Sequence, residues 1–287
     1  MNSPEVTKPQ NPASVDRQLV LSLFSGVGLF DRAFSSAGFC IVTGPELVTG
    51  GDIQSWSGIP KRFNGVIGGP PCQGFSVANS KRHDANHPSV VNSRLMLQHT
   101  CRVVSECQPD WFLIENVPGV PDVRIAGYQI QRLNVSDMEC GGSQLRVRTF
   151  QFGHPDGWII RPERVNDSTR NERKGRKPNA VTTKTGRYVR FPDLCRKQGL
   201  NETILLPGWT KQAKFRAVGN GVSLNVGRAV AAAIQCAGPR MQSDCPCGCG
   251  RQLAGRQKSA TATCRKRLQV DRERVRPVVD LNGYHEP

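Results

Sequence analysis

Residues 18–28 read QLVLSLFSGVG, and this stretch decides the fold. Its first seven residues form a short, mostly apolar run that predicts a buried strand. The two glycines that follow predict a tight turn. Residues 30–37 then carry apolar side chains at helical spacing, and Gly38 is typical of a helix C-terminus. A strand, a glycine-rich turn and a helix in this order predict the start of an α/β domain.

The later apolar segments continue this alternation of strands and helices. Short apolar runs at 40–43, 66–67 and 112–114 predict further strands, and a helix is expected near 95–106. Residues 127–135 and 146–152 alternate between apolar and polar side chains, which predicts a hairpin, and 222–234 predicts a helix that returns to the first strand. The expected fold class is therefore α/β, with a doubly wound sheet.

Chemically active side chains follow several of these predicted strands. Cys72 comes after the apolar run 65–69, and Glu115 comes directly after the run 111–114. Arg146 and Arg148 alternate at the start of another strand. Ligands bind at strand ends in open α/β sheets. One thiol, one carboxylate and two guanidiniums at such positions indicate attack by a thiolate on an electron-poor ring.

Six ordered motifs carry a resemblance to a known family. They are LFSGVG at 23–28, GDI at 51–53, PCQ at 71–73, ENV at 115–117, QLRVR at 144–148 and GNGVS at 219–223. In this order and spacing, over roughly residues 18–235, they resemble the C5-cytosine DNA methyltransferases. The resemblance implies a Rossmann-like methyltransferase fold, S-adenosylmethionine as cofactor, and methyl transfer to carbon 5 of a cytosine flipped out of duplex DNA.

The resemblance also implies roles for the residues at the strand ends. Cys72 matches the nucleophile that adds to carbon 6 of the ring, which is a form of covalent catalysis. Glu115 matches the acid that acts at N3. Arg148 matches the cation near O2, with Arg146 supporting the site or contacting the backbone.

The first half of the chain suits the methyl donor. A glycine-rich turn lets a ligand approach the backbone, and an acidic residue after the second strand can bind ribose hydroxyls. The turn alone would also suit NAD, but the resemblance favours S-adenosylmethionine. The expected cofactor-binding residues are Phe24, Gly26, Gly28, Glu46, Asp52, Ile53 and Asn220.

Composition constrains the partner and the compartment. The chain has 287 residues and a formal net charge of +16, which indicates a polyanionic partner, here duplex DNA. A basic run at 170–177 is expected to lie against phosphates, although alone it would suit a solvated surface. No apolar stretch is long enough for a bilayer. Eleven cysteines in a chain without a signal peptide favour reduced thiols, and thus the cytoplasm of a bacterial or phage-infected cell. We also expect the protein to be a monomer.

The same patterns divide the chain into segments. We expect a disordered tail at 1–17, a catalytic core at 18–152, a small target-recognition region at 153–189 and a return segment at 190–237. The polar loop at 74–91 is expected to close over a flipped base. A cytosine-5 RNA methyltransferase and a catalytically decayed nucleic-acid-binding regulator are the alternative functions.

The last segment, 238–287, is basic and rich in cysteine. Four thiolates can satisfy a tetrahedral zinc ion, so the segment resembles a small zinc ribbon. The alternative is a disordered basic tail with incidental thiols, because the spacing is not the usual repeated pair. In either case we expect the Arg-rich remainder to Arg276 to contact nucleic acid. If the segment holds zinc, truncation after residue 240 is expected to remove the metal and to keep the catalytic core folded. The candidate zinc ligands are Cys245, Cys247, Cys249 and Cys264.

Overall fold

A six-stranded mixed sheet forms the centre of the molecule, in a computed structural model that describes residues 17–165, 189–273 and 276–285. The strand order is β2-β1-β3-β4-β7-β6. The first four strands of this order are parallel, whereas β7 runs antiparallel to both of its neighbours. The strands are β1 (Leu19–Leu23), β2 (Cys40–Thr43), β3 (Gly65–Gly68), β4 (Trp111–Asn116), β6 (Gln129–Ser136) and β7 (Val147–His154), and the short β5 (Asp122–Val123) lies outside the sheet.

Helices cover both faces of the sheet, which confirms the predicted doubly wound α/β class. On one face α1 (Leu29–Ser36) packs against α5 (Leu224–Gln235), and Phe34 and Val230 join Phe152 in one apolar cluster. On the other face α2 (Pro88–Cys107) covers the sheet. Two shorter helices, α3 (Phe191–Lys197) and α4 (Lys211–Asn220), lie beside the N-terminus of α1.

The turn between β1 and α1 has a strained backbone. Gly26 and Gly28 have φ angles of 55° and 72°, in the left-handed region that glycine adopts freely. Phe24 also has a positive φ, 57°, which is uncommon for a residue with a side chain. Such strain is found at functional sites, and this turn lies at the edge of the sheet where the parallel strands end.

Helix α2 differs from the sequence expectation. Helix α2 begins at Pro88 rather than near residue 95, because His87 caps it by accepting a hydrogen bond from the Ser89 N–H at 3.3 Å. The loop after Cys72 is therefore shorter than expected. The basic run at 170–177 and most of the expected target-recognition region lie outside the described residues.

The C-terminal segment is attached to the core by its last strands. After α6 (Ala262–Glu273), strands β8 (Val278–Asp280) and β9 (Gly283–His285) form a second sheet with β5. Val279 is fully buried in the apolar cluster under α2, and Gln98 on that helix donates to the Leu281 carbonyl at 3.1 Å. This packing links the segment to the core, and folding of the core without the segment stays a prediction. Within the described ranges, no helix is long and apolar enough to cross a membrane.

Candidate active site

Cys72 lies in a loop that begins where β3 ends at the carboxyl edge of the sheet. The Asn116 side chain fixes this loop by donating to the Pro70 carbonyl at 3.0 Å. The Gly74 N–H donates to the Ser93 hydroxyl of α2 at 2.9 Å. The thiol is half-buried, so a substrate can reach it while the loop holds its position.

Glu115 and Arg148 form a buried ion pair beside this loop. Arg148 Nε lies 2.8 Å from Glu115 Oε1, and Glu115 is only 7% exposed. The two residues meet because β4 and β7 are neighbours, with Glu115 opposite Phe150. Gly69 leaves room for the carboxylate, because a Cβ at this position would lie 3.1 Å from Glu115 Oε2.

Burial controls the protonation of both acidic groups. It raises the pKa of the Cys72 thiol, and the Glu115 carboxylate raises it further, while Arg148 and Arg146 act in the opposite direction. Burial also raises the pKa of Glu115, against the two arginines. The thiol of the free protein is therefore protonated at neutral pH, and Glu115 holds a proton more readily than an exposed glutamate does.

Arg146 points away from the thiol, toward the junction of α4 and α5. Its guanidinium donates to the carbonyls of Gly219, Asn220 and Gly221 at 2.6, 2.8 and 2.9 Å. Burial lowers the pKa of Arg146 to about 10, and the nearby Arg148 adds to this effect, but the group stays charged at neutral pH. Arg146 thus ties the hairpin of β6 and β7 to the segment that carries Asn220.

Two adjoining cavities contain most of the expected site residues. The turn cavity, about 380 Å³, is lined by Phe24, Gly26 and Asn220 among others. The thiol cavity, about 270 Å³, is lined by Cys72, Glu115 and Arg148, and also by Glu46, Asp52 and Ile53. The two cavities share Phe24, Gly69, Glu115 and Asn220 in their walls. Among the expected residues, Gly28 and Arg146 line neither cavity, since Gly28 caps α1 and Arg146 binds the carbonyls described above.

The acidic residues of the expected cofactor site are held by backbone groups. Glu46 accepts hydrogen bonds from the Gly26 N–H at 2.9 Å and the Val48 N–H at 3.1 Å, which joins the glycine turn to the end of β2. Asp52 accepts from the Gln54 N–H at 2.9 Å. Both carboxylates are therefore oriented by the fold.

Several residues of the site were not predicted from the sequence. Arg102 on α2 donates to the carbonyls of Ile53 and Trp56 at 2.6 and 2.9 Å, so it holds the segment that carries Asp52. Trp209, which precedes α4, and Arg216, which lies within α4, also line the turn cavity. A single tryptophan in the polar stretch around 207–212 was the available signal.

The four C-terminal cysteines come together. The ligand atoms of Cys245, Cys247, Cys249 and Cys264, which we call the cysteine cluster, all lie within 4.8 Å of one another and are buried. Two sulfur–sulfur distances are 3.5 and 3.7 Å. A tetrahedral zinc with bonds near 2.3 Å requires sulfurs about 3.8 Å apart, so the donor set fits this ion. Arg251 supplies positive charge, with Nη1 3.9 Å from the Cys264 sulfur and Nη2 2.8 Å from Glu139.

Comparison with known proteins identifies the family. The family model for C-5 cytosine-specific DNA methylase matches residues 45–194, about half of the chain. The chain belongs to this family. This result confirms the resemblance inferred from the motifs.

Curated relatives of this methylase are similar over part of their length. The type II methyltransferase M.FnuDI of Fusobacterium nucleatum is 30% identical over 167 residues, covering 47% of this chain and 46% of the relative. M.NgoPII of Neisseria gonorrhoeae is 28% identical over 176 residues, covering 50% of each. The chain therefore spans about half the length of these relatives.

Solved structures share the fold of this methylase. A DNA modification methyltransferase encoded within a prophage of E. coli has a TM-score of 0.51 and 19% identity, covering 76% of this chain and 98% of the other. The Entamoeba histolytica methyltransferase EhMeth has a TM-score of 0.50 and 16% identity, covering 74% and 96%. At these identities the likeness concerns the fold alone.

Proposed function

We propose that this chain is a DNA (cytosine-5)-methyltransferase that uses Cys72 as nucleophile and S-adenosylmethionine as methyl donor. The observation that carries the proposal is the meeting of Cys72, Glu115 and Arg148 in the thiol cavity. Carbon 5 of cytosine is a weak nucleophile. A thiolate that adds to carbon 6 makes carbon 5 electron-rich, and this splits one difficult step into two easier ones.

Formation of the Cys72 thiolate depends on the two arginines. The thiol must lose its proton to attack, but burial and Glu115 raise its pKa in the free protein. Arg148 and Arg146 oppose this shift. A proton on Glu115 would remove the negative charge that most disfavours the thiolate. We therefore infer that the thiolate forms while Glu115 is protonated, as it would be when it donates to a bound base.

Glu115 and Arg148 stabilise the charge that develops on the ring. Addition at carbon 6 moves electrons toward N3 and O2, and a carboxyl with a raised pKa is suited to donate a proton or hydrogen bond at N3. Arg148 orients that carboxyl through the 2.8 Å contact and supplies positive charge near O2. Once carbon 5 has gained the methyl group, its proton would pass to water. Departure of the Cys72 sulfur as a thiolate, with return of the N3 proton to Glu115, would then restore the methylated aromatic ring.

The turn and thiol cavities fit the donor. Ligand sites commonly occupy about 300–1,000 Å³. The turn cavity, about 380 Å³, falls in this range, and the adjoining thiol cavity, about 270 Å³, extends it. The residues that would hold the donor are Phe24, Gly26, Gly28, Glu46, Asp52, Ile53 and Asn220, of which Gly28 acts through the turn backbone. S-adenosylmethionine supplies an electrophilic methyl group when bound. Arg102 and Arg146 position Ile53 and Asn220 through carbonyl contacts.

The substrate is proposed to be duplex DNA, from which the target cytosine is flipped. Flipping costs a few kcal/mol, and the polar loop after Cys72 is placed to offset part of it by covering the base. Asn79 shapes this loop by donating to the Gln73 carbonyl at 2.9 Å. We assign target recognition to 153–189 and the return of the core to 190–237.

We further propose that the cysteine cluster binds one structural zinc ion and that the protein acts as a monomer in the cytoplasm. All eleven cysteines are free, as a catalytic thiol and a thiolate zinc site both require. Light scattering of the purified protein would measure its mass, and a dimer at working concentration would contradict the monomer.

The test of the function is covalent trapping. Native protein with S-adenosylmethionine should methylate duplex DNA and should form a stable adduct with DNA containing 5-fluorocytosine, because fluorine cannot leave as a proton does. Cys72→Ser should lose both results and keep DNA binding, while Cys40→Ser, at an exposed thiol away from the cavity, should keep both. Methylation without the adduct would refute the role of Cys72. Transfer to tRNA instead of DNA would refute the substrate, and no transfer to either would favour a decayed enzyme.

A further inference from the structure

A further polar cavity lies beside β6, the edge strand of the central sheet. It measures about 190 Å³ and is bounded by β6, the cysteine cluster, α6 and the segment before β8. We call it the arginine cavity, because Arg132, Arg267 and Arg276 all line it. Its volume equals that of roughly six water molecules at about 30 Å³ each, which is enough for a partly hydrated oxyanion.

Arg267 is the informative member of the arginine cavity. Its Nη1 atom is buried and has no hydrogen-bond partner among the described residues. Buried polar atoms are nearly always paired, so this donor calls for an acceptor that the described residues do not provide. Arg132 donates to the Asp122 carboxylate at 2.6 Å and, through Nη2, to the carbonyls of Val120 and Pro118 at 3.0 and 3.2 Å, so its contribution is mainly positive charge. Arg276 lies 3.9 Å from the Asp122 carboxylate.

The other polar group on the wall is also a donor. Asn134 lines the cavity, and its Oδ1 already accepts the Thr149 hydroxyl at 2.6 Å. The hydrogen-bonding capacity left on this amide is its NH₂ group. Guanidinium and amide N–H groups around one small space are the donor set that binds a phosphate group, and arginine is well matched to its oxygens.

The cysteine cluster is the competing acceptor, since Cys247 forms part of the wall. However, Arg251 already contacts the cluster, with Nη1 3.9 Å from the Cys264 sulfur. Arg251 also reaches Glu139, which ties the cluster to the end of β6. The cluster thus has a guanidinium of its own, and Arg267 is available to a separate ligand.

We propose that the arginine cavity binds one phosphate group, with Arg267 as the principal donor and Arg132, Arg276 and Asn134 around it. The site is separate from the thiol cavity, but paired residues on β6, β7 and β4 connect the two. Asn134 is opposite Thr149, which is opposite Asn116 next to Glu115. The phosphate is either a backbone phosphate of bound DNA, which rests on the proposed function, or a free phosphate ion, which does not.

The first arm of the test uses inorganic phosphate and no DNA. Calorimetric titration at constant ionic strength, with chloride as the reference anion, should show phosphate binding to the zinc-loaded protein. Loss of a charged hydrogen-bond donor is expected to weaken this binding by about tenfold or more in Arg267→Gln. Arg265→Gln, an exposed arginine on the same helix, should bind phosphate like the native protein. If Arg267→Gln fails to fold, Arg267→Lys keeps the charge but loses the planar fork and should still bind more weakly.

Two results would overturn the proposal. Phosphate binding no tighter than chloride binding in the native protein would mean that water alone satisfies Arg267. Unchanged phosphate affinity in Arg267→Gln together with a reduced zinc content would mean that Arg267 serves the cysteine cluster. Neither result depends on methylation, so failure of this site and failure of the proposed function are distinguishable.

The second arm identifies the source of the phosphate. If DNA supplies it, inorganic phosphate should compete with duplex DNA, and Arg267→Gln should reduce the slope of log K against log salt by about one. If the ligand is a free ion, Arg267→Gln should bind DNA normally and phosphate should bind to the DNA complex. Both outcomes support the phosphate site and differ only in its occupant.

Discussion

Replacing Arg146 with methionine would remove a connection between the hairpin of β6 and β7 and the helix α4, which ends at Asn220. Three backbone carbonyls, at Gly219, Asn220 and Gly221, would lose a charged donor now 2.6–2.9 Å away. Arg146 is only 7% exposed, so water cannot replace the donor easily. Each such hydrogen bond is worth about 1.5–3 kcal/mol, but the sum is reduced by the cost of burying the guanidinium.

We therefore expect Arg146→Met to lower the free energy of unfolding by about 3–5 kcal/mol. For a chain of this size the melting temperature should fall by roughly 5–8 °C. Urea unfolding followed by circular dichroism measures the change, and Arg190→Met is the matched control. Arg190 is exposed and makes a surface ion pair with Asp193, so its loss should cost under about 1 kcal/mol. Calorimetry of folded Arg146→Met should also show weaker S-adenosylmethionine binding. Equal stability losses in the two variants, with unchanged donor affinity, would refute the reasoning.

Five further predictions rest on other contacts. Glu115→Gln should lower the pKa of Cys72, because it removes a negative charge that raises it, and the pH profile of alkylation at the Cys72 peptide by mass spectrometry would show this; an unmoved or higher midpoint would contradict it. The pKa of the Cys72 thiol is raised in the folded state, so the protonated thiol stabilises the fold fully below the unfolded-state pKa. This stabilisation should be lost as pH rises through the folded-state pKa. Urea titrations at alkaline pH should therefore show a smaller loss of stability in Cys72→Ala than in the native protein. Glu46→Ala and Asp52→Ala should weaken S-adenosylmethionine binding before DNA binding, and unchanged calorimetric donor affinity in both variants would remove them from the site. Elemental analysis should find about one zinc per chain at the cysteine cluster, and metal-free protein purified without chelators would exclude that site. Deletion of 276–287 should destabilise the core because Val279 is buried, and an unchanged urea midpoint would contradict this role.

The meeting of Cys72, Glu115 and Arg148 could be predicted because each lies at the same edge of the sheet. Cys72 follows β3, Glu115 is near the end of β4, and Arg148 is near the start of the antiparallel β7. Cys72, Glu115 and Arg148 are far apart in sequence, but neighbouring strands bring them to one edge of the sheet. The assignment of these motifs to neighbouring strands was therefore enough to predict that the three side chains meet. The glycine turn was predictable for a similar reason, since Gly26 and Gly28 adopt positive φ angles there.

Contacts made by long side chains to distant backbone atoms could not be predicted in this way. Arg102 binds carbonyls of Ile53 and Trp56 that are 49 and 46 positions away, and a carbonyl leaves no mark in the sequence. Helix α4 buries only Val218, so it has no apolar periodicity to reveal it. The contact of the C-terminal segment with α2 was not predicted for a related reason, because a strand as short as β8 has only a single buried residue, Val279, to indicate it.

The pairing of β5 with β8 has a consequence for the folding of the chain. The Asp122 N–H donates to the Pro277 carbonyl at 2.9 Å, and the Arg124 N–H donates to the Val279 carbonyl at 2.8 Å. These contacts join segments that are made at widely separated times during synthesis. Closing such a long loop is entropically costly, and contacts of this kind slow folding. The apolar face around β5 therefore stays open to water, and to chaperones, until residues 276–285 have left the ribosome and can cover it.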